Sequence, residues 1–285
     1  MSSRGNRLTW CALAGAFGCV TLVFGCALFT PSDTSPAIET HRPLLPPLRA
    51  AAGAVQLQVI FVERPAEDPL VTQLVWQEVD EVGVAAPPLR AVLHENGLRI
   101  GQCGASVPPA LQTLLGFVTE VSSTDTAAMS GRQLSLLSGQ DTEVVVCDSL
   151  ETCTVRYVLN AQEDAVEFQH ARGLFRLRPV RLQDGWVRLE FTPEIHHGES
   201  RMRHTPTDEG WALRAGQKAD VRYQLKFQVT LNSGEMVIVG ASDSPADTLG
   251  QTFFRHEQSG RINQRLLVIR VADAGRDDPS SATDP

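Results

Sequence analysis

The chain carries none of the short motifs that announce common chemistries. It has no G-x-S-x-G nucleophile elbow, no phosphate-binding glycine loop closed by lysine, no C-x-x-C, and no kinase or zinc-protease signature. His94 and Glu95 begin an HE pair, but no second histidine follows at the zinc-protease spacing. A basic stripe is missing too: the formal charge is −8, with the acids spread along the chain. Phosphate binding needs clustered Lys and Arg, so nucleic acid is excluded as a partner, and the dispersed acids serve solubility. Cysteine is scarce, and three of the six (Cys11, Cys19, Cys26) fall in the first 28 residues. Of the rest, Cys147 and Cys153 in "CDSLETC" are the candidates for one small disulfide in an oxidising compartment. Cys103, in "IGQCGAS", has no histidine nearby to activate it. No cofactor is expected.

What is present begins at the N-terminus. Met1 to Arg7 holds Arg4 and Arg7 and no acid, and Leu8 to Leu28 is uncharged and almost wholly apolar, which is the layout of an export signal. "LVFGC" at Leu22–Cys26 is similar to a bacterial lipobox, making Cys26 the candidate for lipidation. An uncleaved single helix needs about 20 apolar residues and fits as well. Ordinary cleavage after "ALFTPS" is the third arrangement. Each exports the rest of the chain, which is then expected to face the periplasm, held to the membrane by a lipid or by one N-terminal helix. Nothing further along is apolar enough to span a bilayer as a helix.

Composition divides the remainder. Residues 29–54 are rich in proline and then alanine and read as a linker, while 272–285, "ADAGRDDPSSATDP" from its first residue, reads as a disordered tail. Between them, 55–125 alternates strand and helix patterns. "VQLQVIFVERP" reads as a strand; "DPLVTQLVWQEVDEV" reads as a helix capped by Asp68, with Leu70, Leu74, Val75 and Val79 on one side. "PPLRAVLHENG" is a second helix closed by Gly97, "LRIGQC" a strand and "PPALQTLLGFV" a third helix. From 132 to 271 the period changes to two, and "DVRYQLKFQVTL" reads as one unbroken strand with Val221, Tyr223, Leu225, Phe227, Val229 and Leu231 inward. "EMVIVGA" and "RLLVIRV" are apolar on both faces and belong at the centre of a sheet. The expected fold class is α+β: a small α/β unit followed by a mainly antiparallel β domain, either a sandwich or a partly open barrel.

The segment 185–271 then shows an order of motifs. "VRLEFTPEI" is followed by a polar insert, "VTLNSGEMVIVGA", "DTLGQTFF" and "QRLLVIRV". This series resembles the closing half of the secretin domain, found in outer-membrane channels of type II and III secretion and of pili. The double glycine usual after the apolar strand is Gly240-Ala241 here, which marks a diverged relative. The body as a whole, including "LHENGLRIG" and "TPEIHHGE", resembles exported envelope proteins of bacteria with two membranes, and that likeness brings no activity with it. What the resemblance implies is a place in the envelope, envelope proteins as partners, and self-association through sheet edges.

The stretch "TPEIHHGESRMRH" concentrates three of the seven histidines. Glu194, His196 and His204 have the composition of a two-histidine, one-carboxylate metal set. Strand alternation sends His196 and His197 to opposite faces, and two arginines follow, so a strand end and its turn account for the same residues. Three function classes follow. The first is a non-enzymatic binding or scaffold protein of the envelope, an accessory of a secretion or pilus-type assembly. The second is a metal-binding protein or hydrolase using Glu194, His196 and His204, and the third is an oligomeric pore subunit.

Overall fold

Apolar residues at every second position make a strand that buries one face, and an unbroken apolar run makes one that buries both. The chain uses the two kinds in two sheets. The computed structural model describes residues 53–116, 128–207, 210–258 and 260–275, all within the unit Arg49–Pro285. Residues 1–52, on which the expected export signal, Cys26 and most of the expected linker fall, and residues 276–285 of the expected tail lie outside the described residues.

The first sheet contains β1 (Val55–Pro65), β2 (Leu98–Cys103), β3 (Ala128–Leu136), β9 (Met236–Ala241), β10 (Arg255–Gln258) and β11 (Arg261–Asp273). Its order is β2-β9-β11-β1-β3, with β10 also paired to β11. The second contains β4 (Thr142–Leu159), β5 (Gln162–Arg181), β6 (Val187–Thr207), β7 (Gly210–Val221) and β8 (Phe227–Leu231). They run in the order β4-β5-β6-β7, with β8 beside the first part of β6. Every pairing between these strands is antiparallel, and neither sheet closes into a barrel. The α+β, mainly antiparallel class read from the sequence is the one observed.

Two cores explain the textures of the strands. Between the sheets, Val59, Val237, Val239, Leu267 and Ile269 meet Val144, Phe175, Leu177, Leu189, Phe191 and Phe227. Three of these side chains and Phe253 form an aromatic group: Phe175 lies 6.0 Å from Phe191 and from Phe227 and 5.5 Å from Phe253, edge to face, while Phe191 and Phe227 stack at 4.7 Å. On its other face the first sheet packs Ile60, Val62, Ile238, Leu266 and Val268 against Val71, Val75, Trp76, Leu111 and Leu114. β9 and β11 are therefore apolar on both faces because both faces are covered. Each fully buried Val, Leu, Ile or Phe contributes about 1.5–3 kcal/mol.

The helices are short and set by local chemistry. Asp68 accepts the Leu70 N–H through Oδ1 at 2.8 Å and starts a π turn, Leu70–Leu74, that runs into α1 (Val75–Glu78). Leu74 is 41% exposed, so the buried stripe is Val71, Val75, Trp76 and Val79, not the one expected from helical spacing. The π turn shifts the phase, and the Trp76 indole N–H donates to the Val71 carbonyl at 2.9 Å. α2 (Pro87–Glu95) starts on proline and ends at Gly97, whose φ of 81° is the left-handed turn expected of it. α3 (Pro109–Leu114) and α4 (Leu249–Phe254) complete the set. Gly250 in α4 permits a close approach: a Cβ there would lie 1.8 Å from the Gly97 carbonyl oxygen.

Several sequence expectations are corrected. The division at 125–132 does not separate two sheets, because β1 and β2 from the first part pair with β11 and β9 from the last. A two-strand α/β unit exposes unpaired edges and two apolar faces, and the β9–β11 pair satisfies both. The unbroken strand at 220–231 is interrupted by a 3-10 turn, Tyr223–Leu225, which leaves Tyr223 71% exposed. Ala54 and Ala274, assigned to linker and tail, are buried. Cys147 and Cys153 are free thiols. They lie on either side of the bulge in β4, with Cys147 opposite Gly173 and Cys153 opposite Phe168.

Candidate functional site

Of the residues singled out in the histidine-rich stretch, Glu194 and His196 meet on the face of the second sheet that points away from the first. Alternation on β6 puts Glu190, Glu194 and His196 on this face, and register places Arg172 opposite His196 and Arg176 opposite Thr192 on β5. Arg176 forks onto Glu194, with Nε donating to Oε1 at 2.6 Å and Nη2 to Oε2 at 3.0 Å. His196 Nε2 is 2.8 Å from Glu194 Oε2, and Arg172 Nη2 is 3.2 Å from His196 Nδ1. A guanidinium can only donate, so Nδ1 accepts and Nε2 carries the ring proton toward Glu194. The set extends to Glu143, 3.2 Å from Arg172, and to Lys226, 2.8 Å from Glu190.

This arrangement decides what Glu194 and His196 can do. Burial alone would raise the Glu194 pKa; the hydrogen bonds from His196 and Arg176 outweigh it and hold the carboxyl down to about 2. A carboxylate so stabilised is a poor proton acceptor. Both oxygens of Glu194 and both ring nitrogens of His196 are already engaged by Arg176, Arg172 and each other. The backbone of His204 lies eight residues further along β6, opposite Leu213, so it is not brought to the other two. His170 sits where β5 diverges from β6, and His256 is 3.6 Å from Glu63. Among the described residues no group of three or more His, Cys, Asp or Glu is arranged to hold a metal. Of the three residues weighed as a metal set, Glu194 and His196 are members of a cross-strand ion-pair lattice. His197, on the opposite side of the strand, packs edge-on against Phe168 at 5.0 Å.

The cysteines are no better placed for chemistry. Burial pushes the Cys103 thiol up to about 11, assisted by Glu235, and burial likewise raises Cys147 to about 11. A thiol held neutral is a weak nucleophile.

The second sheet also divides. β5 pairs with β6 only between Arg181↔Val187 and Arg172↔His196. Beyond that point β5 continues with β4 alone, and β6 with β7 alone. The parting is made by a bulge in β4 between Cys147 and Leu150 and by positive φ at Ser149 (55°) and His170 (48°). Gln217 clamps the fork, its amide donating to the carbonyls of His170 at 2.7 Å and Gly198 at 2.8 Å. One arm, β4–β5, returns to the core, where Val155, Tyr157 and Phe168 are buried. The other, β6–β7, leaves it: Glu199, Ser200, Arg201 and Met202 are exposed.

The two outer edges of this sheet differ accordingly. The β4 edge is closed by side chains, chiefly Asn96, which is fully buried. Its amide donates to the Val158 carbonyl at 2.7 Å and its carbonyl oxygen accepts the Val158 N–H at 2.9 Å. Arg156 N–H donates to the Asp247 carbonyl at 2.7 Å, and Arg132 Nη2 to the Glu143 carbonyl at 2.9 Å. The β7 edge has no partner strand among the described residues. Sequence reading missed Asn96, whose only signal was its place before Gly97 at a helix end. It also missed Arg222, whose guanidinium lies 3.7 Å above the centre of the buried Tyr157 ring.

Among known proteins, no family model and no curated protein matches the chain. Among solved structures it is similar to the type II secretin GspD from enteropathogenic Escherichia coli, at 12% identity over 77% of this chain and 69% of that one, with a TM-score of 0.25. The InvG secretin domain β-barrel of the Salmonella SPI-1 injectisome gives 11% identity, 77% and 60% coverage, and a TM-score of 0.23. A Klebsiella pneumoniae type II secretion outer-membrane complex of PulD, PulS and the PulC HR domain gives 12%, 77% and 39%, and 0.23. The chain thus spans less than two thirds of the second and third of these. TM-scores this low carry no conclusion about this chain's fold, activity or partners.

Proposed function

We propose that the chain is a non-enzymatic scaffold or binding protein of the bacterial cell envelope, an accessory of a secretion or pilus-type assembly, that self-associates through the open edge of β7. The observation that carries this reading is the contrast between the two edges of the second sheet: β4 is sealed by Asn96, Arg132 and Asp247, whereas β7 has no partner strand among the described residues. An open edge of this kind is a ready template for another strand. The motif order in 185–271 supports the secretin-like affiliation, and the layout of the first 28 residues supports export. Attachment through Cys26 belongs to the same reading, and membrane fractionation of a Cys26→Ser variant tests it, release into the soluble fraction being the expected result.

Two observations favour the scaffold over the alternatives. Glu194 and His196 are engaged by Arg176 and Arg172, which disfavours the hydrolase or metal reading. The apolar face of the second sheet packs on the first, which disfavours its facing lipid in a pore.

Ala219→Pro is the test of self-association. Arg222 N–H donates to the Pro193 carbonyl, so by alternation the N–H of Ala219, opposite His196, points away from β6. Proline there removes an outward donor and leaves the ladder intact. Light scattering after size exclusion should show an oligomer that Ala219→Pro reduces to monomer. A monomeric parent protein would overturn self-association.

A further inference from the structure

The edge of the first sheet holds a second unfilled arrangement, at β2. Gln102 exchanges both main-chain hydrogen bonds with Asp80, at 2.8 and 3.0 Å, on the side away from β9, while the Gly97 carbonyl accepts the Ser242 N–H at 2.8 Å on the β9 side. Backbone groups alternate along an antiparallel strand, so the N–H and C=O of Leu98 and Ile100 point the same way as those of Gln102, out of the sheet edge. Asp80 does not extend along them. Its Oδ1 accepts the N–H of Val82 at 2.8 Å and of Gly83 at 2.9 Å, and this turn carries the chain off the edge after a single bridge. No hydrogen bond from a described residue reaches the outward groups of Leu98 or Ile100. The two residues are only 1% and 7% exposed.

These groups border a cleft of about 530 Å³ between α2 and the turn at Glu81–Ala85. Its charges are unequally satisfied. Arg99 is held by Glu81 through two bonds at 2.7 and 2.8 Å and lies 4.6 Å over the Trp76 ring. Arg90 donates only to the carbonyls of Glu81 and Val82, at 3.4 and 3.1 Å, which neutralise no charge. No salt bridge to it forms with any described residue. Glu95 lines the same cleft, five residues and so about 7 Å further along the α2 axis.

We propose that this cleft binds an extended peptide of a partner protein by strand addition to β2, pairing with Leu98 and Ile100 and placing an acidic side chain against Arg90. A walled cleft admits an isolated strand, whereas the edge of a second sheet would bring flanking layers into α2 and the turn. Main-chain pairing supplies the affinity, the apolar floor of Val84 and Leu93 accepts alternate side chains, and Arg90 adds the charge preference. The inference deepens the binding reading above but uses a different edge, so its failure leaves self-association through β7 standing.

The test uses the full chain and a displayed library of random hexapeptides as probe. Enriched peptides should carry Asp or Glu at one fixed position. N-methylation of alternate residues in a synthetic copy should weaken binding about tenfold or more by removing the donors that pair with β2. Arg90→Gln should weaken it roughly three- to tenfold and Arg90→Lys should restore part of the loss, with thermal unfolding confirming that both variants fold. On peptide addition the amide protons of Leu98 and Ile100 should exchange more slowly while that of Gly101, already bonded to β9, does not change. The proposal is overturned if no peptide is enriched, if binding is indifferent to N-methylation, or if the slowed amides lie elsewhere.

Discussion

The two sheets are built from the same strand chemistry and differ in what covers their second face. In the first, the helices cover it, and consecutive residues of β11 are all buried: Leu266, Leu267, Val268 and Ile269. In the second, a lattice of ion pairs covers it, and β6 alternates between buried Leu189 and Phe191 and the partly open Arg188 and Glu190. The difference teaches that a sheet's outward face can be closed by long charged side chains as well as by helices. Arg stems lie over the strands while their heads meet carboxylates. Closure of that kind needs no second core, and it leaves the sheet free to split into arms beyond the lattice, as β6–β7 does.

The largest effect that would break this comparison comes from single alanine changes on neighbouring residues. Val268→Ala and Ile269→Ala should each destabilise, by about 1–2 and 2–5 kcal/mol, since one faces the helices and the other the space between the sheets. On β6, Leu189→Ala should lose about 2–5 kcal/mol and Glu190→Ala about 1 or less. Chemical denaturation reads all four. Equal losses at Leu189 and Glu190 would mean that the charged face is a core in its own right.

A middle-sized effect is expected at the sealed edge. Asn96→Ala strips the Val158 N–H and C=O of their partners, and leaving buried groups unpaired costs about 2–3 kcal/mol. Hydrogen exchange at Val158 should quicken well beyond what the loss of global stability explains. Unchanged exchange there would show that the β4 edge is sealed by something else.

The smallest effect concerns acid. Glu194 has a folded-state pKa lowered to about 2, so its stabilisation is complete above the unfolded-state value of about 4.5 and is lost as pH falls toward 2. The full shift corresponds to about 3 kcal/mol, and because Arg176 is half open to water roughly 2 is the better expectation. Glu194→Gln should be less stable than the parent at pH 7 and nearly equal to it near pH 2. Parallel stability curves across that range would remove the lattice's role in holding β5 to β6.

Strand positions were largely legible because alternation is a local signal, and β1, β2, β9 and β11 fall where apolar periodicity put them. The Gly97 helix stop was legible for the same reason. The fate of Glu194 and His196 was not. A glutamate and a histidine two apart on a strand present one face whether that face meets a metal or two arginines, and Arg172 and Arg176 come from another strand in a register no local pattern reveals. Tyr223 shows the limit from the other side: its period-two position was right for a strand, but the chain steps from β7 to β8 at that point and turns it outward.

Composition and period by themselves determined the mainly antiparallel α+β class and the burial of β9 and β11 on both faces. Tertiary structure alone decided that the first strands complete a sheet with the last. It also decided that Cys147 and Cys153 are free thiols, that the histidine-rich stretch carries an ion-pair lattice, and that the edges at β7 and β2 have no partner strand among the described residues. The physical reason is one of range. Side-chain alternation is fixed by bonds between neighbours, whereas strand partners and charge partners are fixed by contacts between residues as far apart as Gln56 and Asp273.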